Sequence, residues 1–136
     1  DAEGFGLSTL ESLACETPII VNMTGGLQEQ VTDGENWFGE GIEPCSKAII
    51  GSQDVPWISE DRISKEDFMK AMMSFHSKSR EERQEIGAAG RKHVLDKYGM
   101  DKFSELWIKT VEETMEELGS WDTRKKYKSW EMIEIK

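Results

Sequence analysis

In the first part of the chain, segments that contain glycine and polar residues alternate with short hydrophobic segments. A first helix is predicted to begin near Ser8 and to end before Pro18, because apolar residues recur there at helical spacing; these are Leu7, Leu10, Leu13 and Ala14. Ser8 and Glu11 have the spacing of a capping box, in which each side chain binds the other residue's backbone amide. The β-branched run at 19–21 predicts a strand buried on both faces, as in parallel sheets.

A second glycine loop, Thr24-Gly25-Gly26, follows the predicted strand. Beyond it we expect a short helix over 27–31 and a turn at Asp33-Gly34. The order of loop, helix, strand, loop and helix is typical of an open α/β sheet. Ligands of such sheets bind beside glycine loops at the carboxyl ends of strands, so the chemistry is expected in this part of the chain.

Residues 42–63 show no clear period and contain two short strand candidates, 48–50 and 55–58. The pattern then becomes helical. Ser64 and Asp67 predict a capped helix with an apolar stripe that we expect in the core rather than in a binding groove; the stripe comprises Phe68, Met69, Met72, Met73 and Phe75.

Two further helices are predicted after this one. Ser79 and Glu82 form a second capping box, which opens a helix that runs to about Lys97. Asp101 opens the third helix and Gly119 stops it, with inward positions expected at Phe103, Trp107, Thr110, Val111 and Leu118. The predicted fold class is therefore α/β, with a helix-rich second half.

The composition excludes several classes of protein. A length of 136 residues suits a single domain. No apolar run approaches the ~18 residues of a membrane span, and the first residues lack the basic start of a signal peptide. Two cysteines are too few for a disulfide scaffold, so we expect a reducing, cytoplasmic location. The net charge of −10 argues against a nucleic-acid partner.

The charge is unevenly distributed along the chain. Residues 1–60 contain eleven acidic residues and one basic residue, Lys47, whereas residues 61–136 contain sixteen of each kind. The net charge of −10 is therefore carried entirely by residues 1–60, the part of the chain that contains the glycine loops. Such asymmetry favours different roles for the two halves.

The strongest chemical motif is the segment Glu3-Gly-Phe-Gly-Leu-Ser-Thr-Leu-Glu11. Gly4 and Gly6 allow a ligand to approach the backbone, and the helix that follows offers free amides and the positive end of its dipole to a phosphate. The two carboxylates can accept hydrogen bonds from vicinal hydroxyls of sugars on either side of that phosphate. The alternative is structural: Glu11 serves only the capping box, and Glu3 is a solvated loop residue.

Other kinds of site have weaker support. A dinucleotide fingerprint would need a third glycine where Thr9 stands. His76 and His93 lack partners at metal-ligand spacing, and the chain has no Asp-x-Asp motif. These residues therefore give no indication of a metal site.

The segment from Glu3 to Val21 resembles the Glu-x7-Glu signature of retaining glycosyltransferases of the GT-B fold, family four. Later segments resemble the same family: Gly25-Gly26, 31–36, 58–73 and 80–98, the last of which contains a glycine-arginine pair at Gly90-Arg91. The resemblance covers roughly residues 1–119. It implies a partial, Rossmann-like C-terminal domain of the GT-B fold that binds a nucleotide-sugar, followed by a tail at 120–136.

The resemblance also implies a role for each residue of the motif. Glu3 lies in the catalytic centre and contacts hydroxyls of the transferred sugar, while Glu11 binds the ribose hydroxyls. The backbone approaches the donor at Gly4, Phe5 and Gly6 beside the sugar, at Leu7, Ser8 and Thr9 beside the diphosphate, and at the nearby loop residues Gly25 and Gly26. The implied partners are a nucleotide-diphosphate sugar and a glycan or lipid acceptor, with retention at the anomeric carbon and no metal.

The chain departs from the family at one position of the motif. Glycine is usual where Glu16 stands, and glycine is a natural residue for the end of a helix. Glu16 must therefore find another cap or accept strain of about 1 kcal/mol.

A larger departure from the family is that some of its segments have no counterpart in this sequence. The family's first domain, and an Arg and a Lys that meet the diphosphate, are missing, and the shortage of bases in residues 1–60 indicates the same gap. We therefore expect the donor-binding portion of a longer enzyme that builds glycans or glycolipids, inactive alone, whose aromatic tail (Trp121, Tyr127 and Trp130) docks on the N-terminal domain or on a partner. The alternative is a non-enzymatic binding or assembly module on a degenerate nucleotide-sugar fold.

Overall fold

The computed structural model of the chain describes residues 4–126, which divide into two units after Tyr98. The first unit contains, in order, α1 (Leu7–Ala14), β1 (Ile19–Asn22), α2 (Leu27–Val31), β2 (Gly39–Ile42), β3 (Ser46–Ile50), β4 (Ile58–Arg62), α3 (Lys65–Ser77) and α4 (Arg80–Tyr98). The second unit contains α5 (Met100–Leu118). This mixture of helices and small sheets confirms the predicted α/β class.

Strands β1 and β2 form a parallel pair, with Ile19 opposite Gly39 and Asn22 opposite Ile42. The parallel strand expected at 19–21 is confirmed, although Ile20 is only half-buried, so burial on both faces is incomplete. The sequence did not predict β2, because two glycines in four residues lower its strand propensity. The structure explains Gly39: a Cβ there would collide with the carbonyl oxygen of Ile19.

The core of the first unit lies between this parallel pair and helices α1, α2 and α4; it comprises Leu13, Ile19, Val21, Leu27, Val31, Phe38 and Val94. Leu10 and Ala14 pack against it. Leu7, which recurs at the same helical spacing, is instead 68% exposed. The reason is that Leu7 is the first residue of α1, beyond the part of the helix that the core covers.

Helix α4 packs closely on the end of α1. Its buried Gly87 permits this approach, because a Cβ at that position would collide with the carbonyl oxygen of Glu16. The Ser79–Glu82 capping box that opens α4 is confirmed: the Ser79 amide donates to Glu82 Oε2 (2.6 Å), and the Glu82 amide donates to Ser79 Oγ (3.1 Å).

Strands β3 and β4 form an antiparallel hairpin, with Ser46 opposite Arg62 and Ile50 opposite Ile58. The strand candidate at 48–50 is confirmed. The candidate at 55–58 is wrong except for its last residue, because the tip of the hairpin is a turn in which the Ser52 amide donates to the Val55 carbonyl oxygen (3.1 Å).

Helix α3 begins as predicted, since the Ser64 hydroxyl accepts a hydrogen bond from the Asp67 amide (3.0 Å). Its apolar stripe is not in the core, however: Phe68, Met69, Met72 and Met73 are 43% to 64% exposed, and Phe75 is half-buried. The physical reason is Glu40 on β2. Its carboxylate accepts from Ser74 Oγ (2.7 Å) and Lys78 Nζ (3.1 Å), so the polar side of α3 faces the sheet.

Helix α5 has the predicted length, and Gly119 ends it with φ of 79°. Gly99, not Asp101, is its N-cap residue. No α5 residue is buried, so the inward positions are wrong: the exposed fraction runs from 42% at Val111 to 63% at Trp107, and Phe103, Thr110 and Leu118 are exposed too. The described part of this unit, residues 99–126, offers one helix and a turn, which give no second layer to cover a stripe.

The predicted docking of the tail stays a prediction. Trp121 is 83% exposed, and the Arg124 guanidinium lies 3.6 Å from the centre of its ring. Tyr127 and Trp130 lie outside the described residues.

Candidate functional site

The first glycine loop turns directly into α1. Gly6 is the N-cap residue and has φ of 83°, in the left-handed region that favours glycine. No side chain caps the helix, so the capping box predicted for Ser8 and Glu11 is wrong. The reason is that Gly6 starts the helix two residues before Ser8, whose hydroxyl therefore lies inside the first turn. Within residues 4–126 no side chain accepts from the amides of this turn, so these amides can receive an anion.

The two predicted glycine loops meet. The Gly26 amide donates to the carbonyl oxygen of Gly4 (3.0 Å), and a Cβ on Gly26 would lie 3.0 Å from both that oxygen and the Phe5 Cα. Gly25, with φ of 52°, precedes this contact. The fold therefore brings the two loops together at the carboxyl end of β1, as expected of an α/β site.

Two glutamates were assigned to the site from the sequence. Glu11 is exposed on α1, in the second turn after the loop. Glu3 lies outside the described residues. The exposed position of Glu11 leaves its carboxylate accessible to a ligand, while its role in binding ribose stays a prediction.

Sequence reasoning missed a buried side chain beneath the loop. Gln30, on α2, has 0% exposure. Its Nε2 donates to the Phe5 carbonyl oxygen (2.5 Å), and its Oε1 accepts from Thr9 Oγ1 (2.6 Å). A signal was present, because Gln30 interrupts an otherwise apolar inner face formed by Leu27 and Val31.

Aromatic rings support the loop from the side of α4. The Phe5 ring meets the Tyr98 ring edge to face at 5.7 Å, and Tyr98 meets His93 at 5.9 Å. His93 also stacks on Phe38 at 4.5 Å, and its Nε2 lies 2.9 Å from the Glu29 carbonyl oxygen. His93 therefore acts as a packed, hydrogen-bonded residue. Within residues 4–126, no group of three His, Cys, Asp or Glu residues could hold a metal ion.

The end of α1 shows how the chain accommodates Glu16. This residue has φ of 59°, so it adopts the left-handed conformation expected where the family has glycine. Its amide donates to the Leu13 carbonyl oxygen (2.9 Å). Arg91 on α4 supplies the other cap: Nη1 donates to the Ala14 carbonyl oxygen (2.6 Å), and Nε lies 3.9 Å from Glu16 Oε1.

The base of the β3–β4 hairpin is joined to the second glycine loop. Thr24 Oγ1 donates to Asp61 Oδ2 (2.7 Å), and this hydrogen bond is the main reason that the pKa of the Asp61 carboxyl is lowered. Lys47, the single basic residue of positions 1–60, lies 3.6 Å from Asp61 Oδ1. Its charge is thus already matched by a carboxylate.

The turn after α2 is built around Asp33. Its Oδ1 accepts from the amides of Glu35 (2.9 Å) and Asn36 (2.7 Å), and these bonds, led by the one from Asn36, lower the pKa of Asp33 to about 2. Gly34, with φ of 98°, completes the predicted turn.

Another cavity lies elsewhere in the first unit. It measures about 390 Å³ between β2 and α3, and it is lined by Glu40, Gly41, Ile42, Glu43, Asp67, Lys70, Ala71 and Ser74. None of these residues belongs to the glycine loops. An open, partly acidic groove of this kind has no feature that selects a nucleotide.

Residues 1–93 match the model of the protein family described as glycosyl transferases group 1. The match exceeds half of the chain and includes both glycine loops. A search of curated proteins gave no match. In the part of the chain that the structure describes, no helix is long and apolar enough to cross a membrane.

Proposed function

The chain belongs to the glycosyl transferases of group 1, and from this we propose that it is the donor-binding portion of a retaining enzyme. Glycosyl transfer is the activity of that family. In our proposal the donor is a nucleotide-diphosphate sugar and the acceptor is a glycan or a lipid. The observation that carries the proposal is the meeting of the two glycine loops, Gly26 to Gly4, beside the uncapped start of α1.

The diphosphate binds at the start of α1 in this proposal. The amides of Leu7, Ser8 and Thr9 point toward the ligand, and the helix dipole adds about 0.3–1 kcal/mol of attraction for an anion. Glu11 binds the ribose hydroxyls from the exposed side of the same helix. Glu3 binds hydroxyls of the transferred sugar, since it precedes the loop directly.

The transfer step then follows without an enzymic nucleophile. The bond between the anomeric carbon and the phosphate oxygen breaks, and its electron pair stays on the phosphate. The acceptor hydroxyl oxygen bonds to the anomeric carbon on the same face, and its proton passes to the leaving phosphate. The amides at the start of α1 stabilise the negative charge that develops on that phosphate.

The charge pattern supports a donor site to which another part of the enzyme contributes basic groups. Positions 1–60 carry one base, Lys47, and it is paired with Asp61. A diphosphate carries more charge than a helix N-terminus alone offsets. We therefore propose that cationic groups outside this sequence complete the site and that residues 1–136 alone do not turn over a donor.

Titration of the chain with nucleoside diphosphates (UDP, GDP and ADP) tests the proposed donor site. We expect weak binding, with a Kd on the order of 1 mM, or about 4 kcal/mol. Chemical-shift changes should centre on the amides of residues 4–9. If none of the three nucleotides shifts these amides, the proposed donor site is wrong.

A matched pair of variants tests the role of Glu11. Glu11→Gln and Glu35→Gln each remove one negative charge from an exposed residue. We expect Glu11→Gln to abolish detectable binding, because an amide is a poorer acceptor for two vicinal hydroxyls, and Glu35→Gln to leave it unchanged. Equal effects of the two variants would mean that only net charge matters.

A further inference from the structure

A fully buried amide lies directly beneath the first glycine loop. We propose that Gln30 is a positioning residue for the donor site: it fixes the loop at 4–9 so that the first amides of α1 face the phosphates. This inference rests on the proposed function, because it assigns those amides to the donor. It adds a residue that neither the motif nor the family resemblance singled out.

The hydrogen bonds of Gln30 reach both sides of the turn into α1. Nε2 binds the carbonyl oxygen of Phe5, in the loop, and Oε1 binds the hydroxyl of Thr9, in the first turn of the helix. Gly6, the residue with φ of 83°, lies between them. One side chain therefore spans the point at which the chain changes direction.

The orientation of this amide follows from its partners. A carbonyl oxygen only accepts, so the NH₂ group must face Phe5, and the amide oxygen then faces the hydroxyl of Thr9. The same hydroxyl lies 2.7 Å from the carbonyl oxygen of Gly6. The single proton of this hydroxyl is therefore shared between the Gly6 carbonyl oxygen and Gln30 Oε1, and both ends of the buried amide have a polar partner.

The loop benefits from this kind of support because its two glycines are costly to order. Gly4 and Gly6 lose much conformational freedom when they are ordered, and α1 has no side-chain cap. Gln30 supplies the hydrogen bonds from below, where they do not block the ligand. An apolar residue would fill the same space next to Leu27 and Val31 at a lower desolvation cost, so packing alone does not account for an amide here.

Two substitutions separate positioning from packing. Gln30→Met keeps the length of the side chain but removes both hydrogen bonds. Val31→Ala is the matched control, because Val31 is the next residue of α2, is equally buried and has an apolar side chain that makes no hydrogen bond. Both variants should lower the Tm.

Two measurements on the full chain follow the loop itself. Hydrogen exchange without ligand reports the opening of the loop at two hydrogen-bonded amides, those of Leu10 and Gly26, which donate to the carbonyl oxygens of Gly6 and Gly4. Titration with UDP, GDP and ADP reports nucleotide binding. We expect Gln30→Met to speed exchange at the Leu10 and Gly26 amides by about tenfold relative to the core and to weaken binding by about tenfold. Val31→Ala should leave both unchanged, once binding is corrected for the folded fraction.

A double-mutant cycle distinguishes a direct interaction between Thr9 and Gln30 from a general loss of stability. Thr9→Val removes the hydroxyl that Gln30 binds, so the effects of Thr9→Val and Gln30→Met on loop exchange should be less than additive. Additive effects would contradict the proposed bridge.

The outcomes distinguish this inference from the function on which it rests. If the unmodified chain binds a nucleotide and Gln30→Met binds it equally well, Gln30 is not a positioning residue, while the donor site stands. If Gln30→Met leaves exchange at the Leu10 and Gly26 amides unchanged, the inference is overturned whatever the result of the nucleotide titration. If the unmodified chain binds none of the three nucleotides, the proposed function fails and the donor role of Gln30 fails with it.

Discussion

The backbone amide of Gly26 donates a hydrogen bond to the carbonyl oxygen of Gly4 across 3.0 Å, and this bond joins two loops that are 22 positions apart. Each loop precedes a helix, and the contact lies at the carboxyl end of β1. The position of one loop therefore depends on the other. Substitutions at the two glycines should show which of them is needed for the stability of the chain and which only for nucleotide binding.

Gly26→Ala should damage both stability and binding. Its Cβ would lie 3.0 Å from Gly4 O and Phe5 Cα, which are backbone atoms that cannot rotate away. We expect a loss of about 1–3 kcal/mol in the free energy of unfolding, measured with urea. Gly4→Ala is the control, because nothing lies within 4 Å of its Cβ. It should leave stability unchanged and weaken nucleotide binding, since the methyl group would enter the space that the proposed function assigns to the donor.

Gly87→Ala should destabilise the chain even though alanine favours helices. In an exposed helix this change would gain up to about 1 kcal/mol, but here the Cβ would collide with the Glu16 carbonyl oxygen. We expect a net loss of about 1–3 kcal/mol, measured by urea unfolding. Ala88→Gly, at the exposed neighbour, measures the propensity term alone. A Gly87→Ala variant more stable than the parent would contradict the close packing of α4 on α1.

Glu16→Gly should stabilise the chain. Glycine adopts φ of 59° without the strain that a side chain brings, which is worth about 0.5–1 kcal/mol after its greater freedom in the unfolded state is included. Thermal unfolding measures the gain. Glu16→Ala is the control, because it removes the carboxylate near Arg91 but keeps the strain. Equal Tm values for the two variants would mean that the backbone is not strained.

Asp33 should make stability depend on pH below neutrality. Its pKa in the folded chain is about 2, lowered from the ordinary value of 3.8 chiefly by the Asn36 amide. A lowered pKa means that the ionised form is favoured by folding, so its contribution is complete above pH 3.8 and is lost as the pH falls toward 2. Asp33→Asn, which keeps an acceptor but does not titrate, should flatten the Tm curve in that window. Parallel curves for the two proteins would exclude Asp33 as the source.

Local signals in the sequence predicted local structure well. The capping pairs Ser64–Asp67 and Ser79–Glu82 form as expected, because nothing upstream competes for the start of those helices. The same signal failed at Ser8, where Gly6 had already turned the chain into the helix. Capping patterns therefore predict a helix more securely than they predict its first residue.

Features that depend on distant residues were harder to predict. Strand β2 was missed because glycine has a low strand propensity. Gly39 is required by its contact with the Ile19 backbone, which the local sequence does not reveal. The buried face of α3 was assigned wrongly because Glu40, on another element, required polar partners. At the candidate site, the glycine loops were found from their own residues. Gln30 was not, because its partners lie more than twenty positions away.

Helix α1 has only eight residues, so it is about 12 Å long and too short to bend appreciably. One end carries Gly6, and at the other end the Ala14 carbonyl oxygen accepts a hydrogen bond from Arg91. A rigid rod transmits a displacement of one end to the other. We therefore expect the orientation of the first amides of α1 to depend partly on α4, so substitutions at Arg91 should alter the affinity of the proposed donor site for a nucleotide.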